Sequence, residues 1–84
     1  MKIFKIERND DEPTYDIYLG AIVFASDENQ PRNMNPLDGS PINWDLLDKN
    51  WDWVKSPDLV SVEYLGEAKI NAEAGVILPD YKAG

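Results

Sequence analysis

Acids set beside aromatic rings are the feature of this chain most able to do chemistry. They recur as Trp44-Asp45, Asp48 and Trp51-Asp52-Trp53, and again as Asp10, Asp11, Glu12, Tyr15 and Asp16. Tryptophan anchors inside a charged rim suit protein recognition, because the ring fills a pocket while the charges steer the approach. The same residues have a structural reading. Three tryptophans fill the core of a small domain efficiently, and the acids would then be its solvated side. Trp44 and Trp51 are assigned to that core, whereas Trp53 fits either core or surface anchor.

Catalysis is not expected of these residues. The chain has no histidine and no cysteine, which removes the commonest general base, the commonest metal nitrogen ligand and the best nucleophile. Paired carboxylates can hydrolyse glycosides, but they need a deep cleft that a core this small can hardly enclose. Asp48, Asn50 and Asp52 match positions one, three and five of a calcium loop. The sixth position, which needs glycine, is Trp53, and the twelfth, which needs glutamate, is Leu59, so no EF-hand is completed. No glycine-rich phosphate loop is present. The chain is therefore read as a non-enzyme with no cofactor and no metal.

Charge points to a class of partner. Sixteen acids against eight bases give a net charge of -8, which repels free nucleic acid and anionic lipid. Direct nucleic-acid binding is not expected. A basic protein groove is, including one that normally holds nucleic acid, which the protein would then mimic. The bland alternative is that the acidity only maintains solubility. The absence of cysteine favours a reducing compartment, with the cytoplasm as the expected location. The start of the chain turns acidic at Asp10 and lacks the layout of a signal peptide, and the apolar run from Tyr18 to Ala25 is too short to cross a bilayer.

The elements that must position these groups are legible in part. At 84 residues the chain is read as a single domain, residues 1–84, with one core and modest stability. Lys2 to Arg8 alternates as a first strand, and Asn9 to Thr14 is a turn. Tyr15 to Ser26 reads as a long strand whose phase changes at Gly20, with Tyr15, Ile17 and Leu19 on one face before it and Ile22 and Phe24 on one face after it, suggesting a bulge. Asp27 and Gln30 form a capping box for a short helix from about Glu28 to Met34. Asn35 to Asn43 reads as an exposed loop.

The tryptophan segment supports two readings, helical through Trp44, Leu47, Trp51 and Val54, or extended around Trp51 and Trp53. A short helix from Trp44 to Lys49, followed by an extended piece from Trp51 to Val54, combines them. Leu59 to Leu65 has the clearest strand alternation and is placed centrally. Gly66 to Gly75 is a small-residue stretch with a helical turn, and Val76 to Leu78 is an edge strand or tail stopped by Pro79. The fold class expected is α+β: a small antiparallel sheet of three to four strands with one or two short helices.

Both ends of the chain carry a resemblance. Met1-Lys2-Ile3, Lys5, Ile6, Arg8, Asp10-Asp11 and Tyr15-Asp16, then Val62-Glu63-Tyr64-Leu65-Gly66-Glu67-Ala68, Ala74-Gly75-Val76-Ile77-Leu78 and the final Ala83-Gly84, resemble a group of short acidic proteins encoded by bacteriophages and prophages. The likeness covers roughly residues 1–30 and 60–84 and leaves Asn35 to Asp58 unmatched. The group has a serine-rich approach to its terminal Ala-Gly where this chain has Pro79-Asp80-Tyr81-Lys82, so no role passes to the tail. The resemblance implies a phage accessory protein of a kind that often inhibits host machinery, including anti-CRISPR and other anti-defence factors. It transfers no functional residue.

The expected function is thus a non-enzymatic inhibitor whose acidic surface competes with nucleic acid for a basic host complex. Asp10, Asp11, Glu12, Asp45, Asp48 and Asp52 would supply charge and Trp53 the anchor, in a monomer or a homodimer. Two alternatives stand beside it: a phage structural or assembly protein that self-associates through strand edges, and a sponge holding a small nucleotide in a tryptophan-lined pocket.

Overall fold

The computed structural model describes residues 1–10, 17–47, 51–68 and 74–82. Four strands form one antiparallel sheet: β1 (Lys2–Arg8), β2 (Ile17–Ala25), β3 (Val60–Glu67) and β4 (Gly75–Lys82). Their order across the sheet is β3-β1-β2-β4. The strand count meets the expectation, but helix shrinks to α1 (Asn29–Arg32) and a 3-10 turn at Pro57–Leu59. The architecture is mostly β.

Alternation decides which side of the sheet is the core. Phe4 and Ile6 of β1 face Val23 and Ala21 of β2 on one side and Tyr64 and Val62 of β3 on the other. Phe4, Ile6, Ala21, Val23, Ala25 and Val60 are buried together there. Burying a side chain of this kind is worth about 1.5–3 kcal/mol. The phase change expected at Gly20 is present. Ladder pairing to β4 skips Leu19, running from Tyr18↔Tyr81 to Gly20↔Asp80, so Tyr18 and Ala21 both reach the core. After the bulge Ile22 and Phe24 share one face as expected, and it is the half-exposed one, because Ala21, Val23 and Ala25 turn inward. Gly20 itself is dictated by contact: a Cβ there would fall on the carbonyl oxygen of Ile6.

Strand β3 is not central. It is an edge, as is β4, and the two central strands are β1 and β2. The alternation of β3 reflects Val60 and Val62 turned toward the core and Ser61 and Glu63 toward solvent, with Tyr64 already 54% exposed, a pattern an edge strand can share with a central one. Strand β4 continues through Pro79 opposite Ala21, since an edge strand tolerates the missing donor.

The connection from β2 to β3 covers the core face. Met34, Trp53 and Val54 join the core cluster, with Ile42, Trp44, Trp51 and Leu59 packed against it. Its first turn is pinned much as the capping box requires. Asp27 Oδ1 accepts from the amides of Asn29 and Gln30 at 3.0 Å each, and Gln30 Oε1 accepts from the amide of Ser26 at 2.8 Å, one residue earlier than in a standard box. The helix stops after Arg32 because Met34 pairs with Pro41 in a small bridge. The loop between them is less exposed than expected: Pro36 is fully buried.

Trp44 and Asp45 form a turn and not a helix. Asn43 competes for the backbone, its Oδ1 accepting from Asp45 N at 3.2 Å and its carbonyl from Leu46 N at 3.2 Å. Residues 51–54 are irregular, with Trp51 Nε1 donating to the Val54 carbonyl at 2.6 Å. The remainder of the expected Trp44 to Lys49 helix and the helical turn within Gly66 to Gly75 fall at Asp48, Lys49 and residues 69–73, outside the described residues.

Candidate functional site

The connection that closes the core also carries most of the described free carboxylates. Asp27, Glu28, Asp38, Asp45 and Asp58 are exposed and Asp52 is half-exposed. Ion pairs among the described residues join Lys2 to Glu67, Lys5 to Glu7 and Arg8 to Asp10, so none neutralises the acids of this layer. Its own Arg32 turns inward, donating from Nη1 to the carbonyls of Pro57 at 3.1 Å and Val60 at 2.5 Å. That geometry staples the layer to β3 and leaves the acids in excess on its outer side, where Lys55 is the exposed base among the described residues.

Two of the expected site residues, Asp45 and Asp52, are carried there. Trp44 and Trp51 pack edge to face with ring centroids 6.5 Å apart, and each is followed in the chain by an acid, Asp45 and Asp52. Trp44 is fixed by its Nε1, which donates to Asn33 Oδ1 at 2.9 Å. The carbonyl of Asp52 accepts from Tyr18 N at 2.9 Å and ties the segment to β2. Carboxylates on such a held turn are pre-organised, which lowers the entropy cost of docking. Asp38 is held locally: hydrogen bonds from the Ser40 hydroxyl and amide keep its carboxyl below the usual carboxylate range.

Two expected site residues are placed otherwise. Trp53 is 3% exposed and belongs to the core, so it cannot anchor a partner. Asp10 is engaged by Arg8, with both side chains about one-tenth exposed, and adds no free charge. Asp11, Glu12 and Asp48 lie outside the described residues.

Sequence reasoning passed over Asp27, Glu28, Asp38 and Asp58. Each sits at a turn, and the signal that could have found them is the position of the whole 26–59 connection, which has to lie across the sheet to close a core that four strands alone leave open. It also passed over Leu46, 78% exposed beside Asp45.

Among the described residues no group of three or more His, Cys, Asp or Glu could hold a metal ion. Two open grooves, of about 550 and 510 Å³, are lined by residues other than the tryptophans. No described helix is long and apolar enough to cross a membrane.

No family model, curated protein or solved structure matches this chain. Its own surface carries the functional reading.

Proposed function

We propose that the protein is a non-enzymatic phage inhibitor that binds a basic host complex, of a defence or nucleic-acid-processing kind, and competes there with nucleic acid in the host cytoplasm. The observation that carries this reading is the outer side of the 26–59 connection, where Asp27, Glu28, Asp45, Asp52 and Asp58 have no ion pair among the described residues. Carboxylates displayed on a held backbone present to a basic groove the charge sign that phosphates present, and like-charged nucleic acid is excluded from the same groove. Asp45 and Asp52 form its centre, with Leu46 in place of Trp53 as the apolar contact.

The assembly reading asks the sheet edges to pair, and these edges are poor templates. Strand β3 has a register shift opposite Ile3 and Phe4, with Gly66 at φ 152° and the charges of Glu63 and Glu67. Strand β4 contains Pro79 and one register shift of its own, where Ile77 is skipped between Val76 and Leu78. Bulges, proline and edge charges are the devices that discourage strand addition.

The test is tagged capture from nuclease-treated bacterial lysate at low and high salt. A stoichiometric, basic, nucleic-acid-binding complex, lost at high salt and displaced by added nucleic acid, is the expected result. Recovery of phage particle proteins, or of nothing but the bait, would overturn the reading.

A further inference from the structure

The side of the sheet opposite the core is open among the described residues, and its composition is unlike that of the acidic layer. Ladder register sets three rows across it, of which Ser61, Glu7, Gly20, Asp80 is polar and two are largely apolar. One runs Glu63, Lys5, Ile22, Leu78, and the other Gly66, Ile3, Phe24, Gly75. Ile3, Ile22 and Phe24 are half-exposed and Leu78 is 63% exposed, so the middle of this face is apolar. A groove of about 550 Å³ lies beside that ridge, with Lys5, Glu7, Leu19, Gly20 and Ile22 on its walls.

We propose that this face packs against the same face of a second copy of the chain, giving a two-fold, sheet-on-sheet dimer.

Three arguments select a second copy. Shape is the first. A ridge at Ile22, Phe24 and Leu78 lies beside a groove on one surface, so a two-fold axis can set each copy's ridge into the other's groove, as an isologous interface requires. The second is charge. A chain of net charge -8 repels its own copy least where acids are few or paired. Here Ile3, Ile22, Phe24 and Leu78 make up the middle of the face while Lys5 pairs with Glu7 at 3.1 Å, leaving Glu63 and Asp80 at its edges. A basic partner is drawn to the other side of the molecule. Area is the third. Four strands of about eight residues give a footprint of about 26 by 19 Å, or roughly 500 Å² per copy. Two such faces bury about 1,000 Å², the level a specific interface must reach. Aligned sheets about 10 Å apart would interdigitate these side chains and leave both acidic layers facing outward.

The proposal goes beyond partner binding and does not depend on it. Sedimentation velocity from micromolar to near-millimolar protein tests it, with Leu78→Lys, Ile22→Lys and the double variant D45K/D52K alongside wild type, and far-UV circular dichroism to verify folding. Wild type should reach twice the 9.5 kDa chain mass. Leu78→Lys should remain monomeric at every concentration. So should Ile22→Lys, which lies on a central strand that an edge-to-edge dimer would not involve. D45K/D52K should dimerise as wild type does even where it no longer captures a partner. A wild type that is monomeric throughout, or a folded Leu78→Lys that still dimerises, would overturn the proposal. If Ile22→Lys does not fold, Leu78→Lys decides alone, since its site is already exposed to water.

Discussion

The guanidinium of Arg8 holds the carboxylate of Asp10 at two points, Nε to Oδ1 at 2.6 Å and Nη2 to Oδ2 at 2.8 Å. Nη1 of the same group donates to the Tyr18 carbonyl at 3.3 Å. The pair clamps the end of β1 onto the start of β2, beside the hydrogen bond from Asn9 N to the Leu59 carbonyl at 2.7 Å. Two-point charged hydrogen bonds at about one-tenth exposure are among the stronger polar contacts a small domain can make.

Asp10→Ala should therefore act on stability and not on partner binding. Removing one member of a largely buried pair costs about 2–4 kcal/mol, a large share of the total stability of a domain this size. Denaturant unfolding measures the loss. Partner affinity, measured below the unfolding midpoint, should stay at the wild-type value.

Gly20→Ala should be similarly costly for a different reason. Its new methyl would meet the Ile6 carbonyl oxygen, a backbone atom that cannot swing aside. Overpacking of this kind costs about 1–3 kcal/mol or more, and it should appear as a lower thermal midpoint. Wild-type stability in the Gly20→Ala variant would contradict the close approach of β1 and β2.

How far the sequence reached follows from the same residues. Strands β1, β2 and β3 were legible because alternation is a local signal, and the bulge was legible because the phase of Tyr15 to Phe24 breaks at Gly20. Strand order was not, since an edge strand with one buried face alternates as well as a central one. Trp53 was undecidable from spacing: residues 51–54 are irregular, so neither a period of two nor one of 3.6 applies. Asp10 looked like part of an acidic run, although Arg8 stands two residues before it and extended backbone sets such a pair on one face.

Trp53 offers a sharper test of the core. Its indole Nε1 is buried and has no hydrogen-bond partner among the described residues. Trp53→Phe removes that polar atom along with some volume and should cost only about 1–2 kcal/mol, whereas Trp53→Ala should cost about 3–5 kcal/mol. Chemical denaturation of the two variants separates these values. Equal losses would mean that the indole nitrogen is satisfied.

The exposed Lys2–Glu67 pair predicts a pH signature. The Lys2 ammonium, hydrogen-bonded at 2.9 Å, holds the Glu67 carboxyl below the usual range, and Glu67 in turn raises Lys2. A depressed carboxylate contributes stability that is present above its unfolded pKa of about 4.3 and lost as pH falls through the folded value. A raised lysine contributes below about 10.4 and loses that contribution as pH rises through its folded value. Glu67→Gln should flatten both limbs of the midpoint-versus-pH curve slightly, and an unchanged curve would show that solvent screens the pair completely.

The central claim is that the acids of the 26–59 connection, centred on Asp45 and Asp52, bind a basic partner. Its most direct test compares wild type with D45K/D52K against the captured complex across a salt series. The account predicts that wild-type affinity falls steeply with salt and that the double variant binds at least tenfold more weakly at low salt, with a shallower salt slope and an unchanged thermal midpoint. Equal affinity and equal slope for the two proteins would contradict it.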